Sequence, residues 1–282
     1  IDVINRGFAP ARGPGAGVTG QRLLTARGAS HGGLGHYSTG YVAKGTTYGS
    51  IAHPTTLGSG ANTRGGGAVH LVVGGAVTVE GQVRADAQSG DTMNPGGAGG
   101  SIYLRGSTLG GAGLLSACGA LGYQSGGGGR IGVVLNDSTD FGSLRFEAFG
   151  NVHNNSAAGT VYLEGRDNDI PVSRKLVFDN NGIVTPAHVL TEWPPEQDDE
   201  PLDWNPIALR ILRAARAGLT ETDLRVRDLE WADASARLHL KGNTLYVRSL
   251  YHTFSDGDEG EVVVEDGGQL IWAQSGTIIL VR

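Results

Sequence analysis

The sequence predicts an all-β protein, a right-handed parallel β-helix whose coils have about thirty residues and three short strands each. Three observations support this fold. Four segments begin with a glycine cluster and continue as an alternating strand, most clearly in "GGAGGSIYLRG". The first apolar residues of these strands, Val69, Ile102, Ile131 and Val161, are 33, 29 and 30 residues apart, a spacing typical of solenoids. Gly contributes 48 of the 282 residues without the Gly-X-Y period of collagen.

The glycine clusters are predicted to form the corners between the flat faces of each coil. Gly adopts positive φ without strain and lets neighbouring coils approach closely. A phosphate-binding loop is the alternative, but no Gly-Lys-Ser/Thr follows "GGAGGS". Strand alternation then predicts an inward set on the first strand of each coil. Its members are Val69, Leu71, Ile102, Leu104, Ile131, Val133, Val161 and Leu163. Val83, Leu115, Leu144 and Leu176 are the expected inward column of the third strands.

The chain divides into four parts of one continuous solenoid. Residues 1–64 are expected to be a loop-rich lead-in or cap, 65–185 the glycine-rich coils, 186–223 an insertion and 224–282 further coils. The insertion starts with the acidic, Pro-rich "EWPPEQDDEPLDW". The following "NPIALRILRAARAGL" predicts a short amphipathic helix, with Asn205 as N-cap, Pro206 at the first position and Gly218 as the stop.

Composition excludes several classes of protein. The net charge of −6 argues against a general binder of nucleic acids or anionic membranes, and no apolar run reaches the roughly 20 residues of a membrane span. The single Cys118 excludes an internal disulfide. The chain begins at Ile1 rather than Met, and we interpret it as a processed, secreted product.

The segments "GGGAVHLVV", "VTVEGQVRADA", "GGAGGSIYLRGSTLGGAGLLSACGA" and "GGGGRIGVVL" resemble glycine-rich β-helix segments of large secreted bacterial surface and adhesin-like proteins. "ASHGGLGH" and "YGSIAHPTTLGSG" resemble the lead-in that precedes such segments. The resemblance covers roughly residues 28 to 165. It implies a β-helix and an extracellular or cell-surface location, and it implies no particular activity.

Outward columns of such a solenoid are the candidate ligand sites. His70, Tyr103 and Tyr162 are expected to stack on one outer face, with Gly132 between the tyrosines. Aromatic faces bind the apolar faces of sugar rings, so a polysaccharide is the candidate ligand. Mutual stacking of the rings, or a loop that covers them, is the alternative interpretation.

We predict no catalytic site and no metal site, and expect no enzymatic activity. If the chain were a polysaccharide lyase or glycosidase, Glu147 and Asp179 with Arg145 would carry the chemistry, since stacked carboxylates hold Ca²⁺ or act as acid and base. No other cofactor is expected. His31 and His36 in "HGGLGH" are assigned to a loop rather than to a metal, and "SDGDEGE" at 255–261 to a solvated turn.

The two end segments are the candidate assembly surfaces. Ile1 and Val3 lie in a strand-competent first segment, and Ile279 and Val281 in "GTIILVR". Head-to-tail contact between them would build a filament, and pairing of each within its own domain is the alternative. The favoured function is a secreted structural or adhesive β-solenoid. A carbohydrate-binding module and a polysaccharide-cleaving enzyme on the same scaffold are the alternatives.

Overall fold

The computed structural model describes residues 1–19, 25–88, 93–198, 202–231, 233–248, 260–274 and 277–281. Within these ranges the chain forms twenty strands and no helix. The strands stack as a parallel β-helix of about six turns. The predicted fold class is therefore confirmed, except for its helical insertion.

The first half of the solenoid has ten strands. They are β1 (Ala68–Val72), β2 (Val77–Thr78), β3 (Gln82–Arg84), β4 (Ser101–Gly106), β5 (Leu109–Gly110), β6 (Leu114–Ser116), β7 (Arg130–Leu135), β8 (Arg145–Glu147), β9 (Thr160–Asp167) and β10 (Ile170–Asp179). Strands β1, β4, β7 and β9 pair in parallel with Val69, Ile102, Ile131 and Val161 in register, as the repeat predicts. These four residues are buried in the core of this half.

The third strands follow the predicted alignment only at the first step. Val83 lies opposite Leu115 as predicted, β8 is shifted by two residues, and Leu176 lies in β10 of the long sheet rather than in this column. Strands β3, β6 and β8 form a parallel sheet in which Phe146, and not Leu144, lies opposite Leu115. Leu144 is buried just before β8. A shift of two residues keeps the same side chains inward because strand alternation has a period of two. The repeat alone could therefore not distinguish the two alignments.

The glycine clusters serve close approach rather than unusual backbone angles. Gly67, Gly100, Gly129 and Gly159 stack in successive coils, and all have negative or extended φ. A Cβ on any of the last three would overlap the carbonyl oxygen of the glycine one coil below. Close by, the Gly100, Gly129 and Gly159 amides donate across the coil to the carbonyls of Ala85, Ala117 and Ala148 at 2.6–2.8 Å. At these corners, therefore, backbone packs directly on backbone with no room for a side chain. Positive φ, the other predicted reason for glycine, does not apply to these four residues.

The lead-in crosses these corners and then the outer face of the long sheet. The Gly32 and Gly33 amides both donate to Gly128 O at 3.0 Å, and the Gly127 amide donates to Ala29 O at 2.9 Å. Residues 50–57 then lie against β4, β7 and their neighbours, and we call this segment the strap. A Cβ at Gly132 would meet Ala52 O and the Pro54 ring, both at 2.7 Å, so the strap crosses where the column has no side chain.

The second half has ten further strands. They are β11 (Thr191–Trp193), β12 (Ile207–Leu212), β13 (Arg216–Leu219), β14 (Leu224–Val226), β15 (Asp228–Trp231), β16 (Arg237–Lys241), β17 (Thr244–Val247), β18 (Glu261–Glu265), β19 (Gln269–Gln274) and β20 (Thr277–Val281). Strand β10 returns antiparallel to β9 and then pairs in parallel with β12, so the long sheet runs β1-β4-β7-β9-β10-β12-β15. Its neighbours are β11-β13-β16-β18 and β14-β17-β19-β20.

The predicted helix in the insertion is wrong. Residues 207–212 and 216–219 are β12 and β13, joined by a turn in which Arg213 and Ala214 have positive φ. The apolar residues of "IALRIL" fit a period of two as well as a helical period, and Ile207, Leu209 and Ile211 are all buried. Pairing with β10 on one side and β15 on the other decides between the two periods. Such pairing cannot be seen in a local window.

Candidate functional site

The predicted column of rings is present, with its members in different surroundings. His70, Tyr103, Gly132 and Tyr162 lie opposite one another in β1, β4, β7 and β9. His70 is exposed, whereas Tyr103 is 5% and Tyr162 1% exposed. The strap covers the far end of the column, which is the arrangement given above as the alternative interpretation. His70 and Tyr103 remain together, and Tyr162 is separated from them.

Tyr162 belongs to a buried polar cluster on the outer face of the long sheet. Its hydroxyl donates to Glu164 Oε2 at 2.6 Å, and Arg166 Nε and Arg174 Nε donate to the two oxygens of the same carboxylate at 2.6 and 2.7 Å. Burial alone would raise the pKa of Glu164, but these hydrogen bonds and the two guanidinium charges lower it overall. Every group in the cluster has a partner, so its role is to hold β9 and β10 together.

The open end of the column forms a cleft. The His53 ring from the strap lies 5.2 Å from the Tyr103 ring, and the His70 ring lies 5.1 Å from it on another side. Thr55, Val72 and Arg105 complete the lining of a cavity of about 410 Å³. We call these six residues the strap cleft. Its base is the Tyr103 ring, and Val72, 64% exposed, lies at its rim.

Buried polar contacts fix the strap against the coils. His31 Nδ1 lies 2.7 Å from Gly99 O and Nε2 lies 2.9 Å from Thr56 Oγ1. Arg130, fully buried, donates to Tyr48 O at 2.9 Å and to Thr160 Oγ1 at 3.0 Å. Burial, together with the nearby Arg130 charge, lowers the pKa of His31 to about 3. His31 is therefore neutral over the physiological range and has the predicted loop role.

His36 also has a loop role, since its Nδ1 is hydrogen-bonded to Gln124 Oε1. Among the residues that the structure describes, no group of three or more His, Cys, Asp or Glu side chains is arranged to hold a metal ion. Residues 255–259 of the acidic turn lie outside the described residues.

The candidate catalytic residues lie in two different sheets. Glu147 is in β8, opposite Ser116, and Asp179 is at the end of β10 in the long sheet. Arg145 Nη1 lies 3.7 Å from Glu147 Oε1, and Arg213 Nη2 lies 2.6 Å from Asp179 Oδ2. The two carboxylates are therefore not stacked on each other, as the enzyme interpretation requires. Each has an arginine partner instead.

Asp86 is the centre of a buried polar cluster between β3 and β6. Asp86 Oδ1 accepts hydrogen bonds from Ser116 Oγ at 2.5 Å and the Cys118 amide at 2.7 Å, and Arg84 Nε donates to Oδ2 at 2.9 Å. Burial and the Asp86 charge raise the pKa of the Cys118 thiol. The thiol is therefore protonated and unreactive at neutral pH. This cluster connects the first two coils.

The candidate assembly segments both pair with their own chain. The Ile1 amino group donates to Gln82 O at 2.9 Å and the Val3 amide to Arg84 O at 2.8 Å, so the first residues extend the sheet of β3. Ile279 and Val281 lie opposite Trp272 and Leu270 in an antiparallel pair of β20 with β19. Ile1 itself is 61% exposed. Among the described residues, the first segment forms a strand pair only with β3 and the last segment only with β19, so each has one unpaired strand edge.

Comparison of the chain with family models, curated proteins and solved structures found no match. The described residues include no helix with the length and apolar character needed to cross a membrane. The strap cleft and the strand edges are the features of the molecule that bear on its function.

Sequence reasoning missed His53, Thr55 and Arg105. His53 and Thr55 lie in the segment interpreted only as a lead-in, and Arg105 lies near the end of β4, where the pattern predicted only the inward residues and Tyr103. One signal was available. Gly132 interrupts a column of rings, and a glycine in a strand interior marks the close approach of another backbone.

Proposed function

We propose that the protein is a secreted structural or adhesive β-solenoid that self-associates end to end. One observation carries the proposal: β1 is the terminal strand of the seven-stranded sheet, and its outer edge has no partner among the described residues. The Gly67 carbonyl and the Val73 amide are bonded to the β4 strand. Alternation along a parallel strand then directs the N–H and C=O groups of Ala68, His70 and Val72 away from β4.

This edge has few of the devices that prevent strand addition. Natural edge strands carry charged residues, Pro or bulges, or are covered by other segments. Strand β1 reads "AVHLV", without Lys, Asp, Glu or Pro, and Val72 and Val73 beside it are exposed. The first residues of the chain cover β3 and stop short of β1. An incoming strand would gain main-chain hydrogen bonds and cover apolar surface.

The partner strand that we assign is β20 of another copy. Among the described residues it is the terminal strand of its own sheet and pairs only with β19. Contact between unlike ends of two copies is heterologous, and it builds a filament where the rotation does not close. Secretion fits the resemblance to surface proteins noted above. The outward Arg–carboxylate pairs support a surface role rather than catalysis.

The edge can be blocked without touching the solenoid's own hydrogen bonds. The Val72→Pro variant removes an N–H that points away from β4, so the coil keeps its ladder while the added strand loses a donor. We expect the intact protein to show concentration-dependent association in analytical ultracentrifugation and filaments in electron microscopy. Val72→Pro should remain monomeric.

Val72→Thr is the matched control, because it keeps the backbone donor and a β-branched side chain. It should associate like the intact protein. If the intact protein sediments as a monomer at every concentration tested, or if Val72→Pro associates as well as Val72→Thr, the assembly proposal is wrong. Thermal melting of all three proteins confirms that each is folded.

A further inference from the structure

The strap cleft lies on the outer face of the first two strands of the long sheet and combines three kinds of binding group. His53, His70 and Tyr103 supply rings, Thr55 supplies a hydroxyl group, and Arg105 supplies a positive charge. His53, Thr55 and His70 are exposed, while the Tyr103 ring between the imidazoles is buried as a base. The site is therefore pre-formed by three segments that are far apart in the sequence, the strap, β1 and β4.

Arg105 is held in place and still has binding capacity. Its Nε donates to Asn136 Oδ1 at 3.1 Å and its Nη2 to Asp169 Oδ1 at 3.2 Å. The Asp169 side chain is largely exposed, so this ion pair is screened by water. Within the described residues Nη1 makes no hydrogen bond. A guanidinium fixed in this way is suited to a planar carboxylate.

We propose that the strap cleft binds a polysaccharide that carries carboxylate groups, such as a polyuronate. The carboxylate would lie on Arg105, and the hydroxyl groups of the sugar would exchange hydrogen bonds with Thr55 and the two imidazoles. The C–H faces of the ring would contact His70 and Val72. A shallow and open cleft of this size fits one or two sugar units of a longer chain.

A peptide strand is the competing ligand, and the geometry favours the saccharide. A peptide strand would bind along the main-chain edge of β1, because the N–H and C=O groups of the peptide would find hydrogen-bond partners there. The side chains of the cleft offer no such row of main-chain partners. The imidazoles and the hydroxyl group can each donate or accept hydrogen bonds, which matches the alternating donors and acceptors of a sugar. The inference is independent of self-association, because the cleft faces sideways from the solenoid and includes only residues of one copy.

The test compares two polymers and two nearly isosteric variants. Polygalacturonate oligosaccharides are titrated into the protein by isothermal calorimetry, with dextran oligosaccharides of equal length as the neutral probe. Thr55→Asp places a carboxylate at the exposed rim, and Thr55→Asn has almost the same shape without the charge. We expect polygalacturonate to bind and dextran to bind at least about tenfold more weakly, because the neutral polymer cannot form the charged hydrogen bond with Arg105.

We further expect Thr55→Asp to weaken polygalacturonate binding about tenfold or more and Thr55→Asn to change it less than about threefold. Arg105→Gln should lose the preference for polygalacturonate over dextran. Arg225→Gln removes an exposed arginine in the second half of the solenoid and should bind like the intact protein.

Three results would overturn the inference. They are no binding of polygalacturonate, equal binding of the two polymers, and binding that is the same in Thr55→Asp and Thr55→Asn. If a peptide of the β20 sequence displaced polygalacturonate from the Val72→Pro variant, the cleft would be a peptide site instead. Measurements on Val72→Pro also separate this inference from the assembly proposal, because that variant is expected to be monomeric while it keeps Arg105, Thr55 and the three rings of the cleft.

Discussion

The two halves of the solenoid stack their coils by different means. In the first half, paired residues of adjacent coils are 29 to 33 positions apart, and glycine backbones meet at the corners. In the second half, the separations fall to between 20 and 26, as in Leu209 with Leu229 and Thr191 with Ala217. Its core contains Trp193 and Trp204, against which Phe178 of β10 packs, whereas that of the first half consists mainly of Val, Ile, Leu and Ala.

The ion pairs between adjacent coils also differ between the two halves. Arg210 with Glu230, Arg237 with Glu261 and Lys241 with Glu265 bridge adjacent coils of the second half at 2.7, 2.8 and 3.3 Å. In the first half, polar side chains connect the coils at buried positions, as at Asp86 with Ser116 and Arg130 with Thr160. In the first half, backbone contact between glycines leaves no room for a larger residue. In the second half, side chains pack between the coils and can shift to make room.

The largest expected effect tests this difference directly. Gly129→Ala would place a Cβ on the carbonyl of Gly100, which belongs to the rigid ladder. We expect a loss of about 3 kcal/mol or more in the free energy of unfolding, because backbone has to move. Gly218→Ala in the second half meets Leu190 Cδ1 at 2.9 Å, a flexible side chain that can shift, so about 1 kcal/mol is expected.

Gly75→Ala is the control for both glycine variants, since nothing lies within 4 Å of its added Cβ. It should change the free energy of unfolding by less than about 0.5 kcal/mol. Urea denaturation followed by circular dichroism measures all three. Equal costs for Gly129→Ala and Gly75→Ala would contradict the assignment of the glycine ladder to close packing.

The next effect concerns acid and the strap. His31 has a folded pKa of about 3, well below the usual 6.5, so the unfolded chain binds a proton that the folded chain does not. The contribution of neutral His31 to the free energy of unfolding is fully present above pH 6.5. It decreases as the pH falls from 6.5 toward 3. Two pH units within this window correspond to about 2–3 kcal/mol.

The measurement is the free energy of unfolding of the intact protein and of His31→Asn at several values between pH 7 and pH 4.5. The Asn variant should be less stable at neutral pH and should show a smaller slope with pH. The same slope in both proteins would show that other groups control acid unfolding and that the strap is not the acid-sensitive part.

The smallest effect is expected from the ion pairs of the second half. Arg210 and Glu230 are each about 40% exposed, so water screens their attraction. A double-mutant cycle with Arg210→Gln and Glu230→Gln should give a coupling energy of about 0.5 kcal/mol that decreases in high salt. A coupling energy above about 2 kcal/mol would mean that charge, rather than the core, holds these coils together.

The sequence by itself determined the repeat. The spacing of Val69, Ile102, Ile131 and Val161, and the alternation around them, determined the fold class, the inward residues of these strands and the register of β1, β4, β7 and β9, because both signals are local and recur. The sequence also placed His70 opposite Tyr103. These features depend on chain geometry that every coil repeats.

Only the tertiary structure decided the rest. It assigned "IALRIL" to a strand, because pairing on both sides outweighed local helix preference. It showed that the corner glycines are needed for contact between backbones rather than for positive φ. It also brought His53 of the strap against Tyr103, a contact between segments about fifty residues apart that no repeat encodes. Contacts made once in a fold leave no period in the sequence, and the candidate site is built from such contacts.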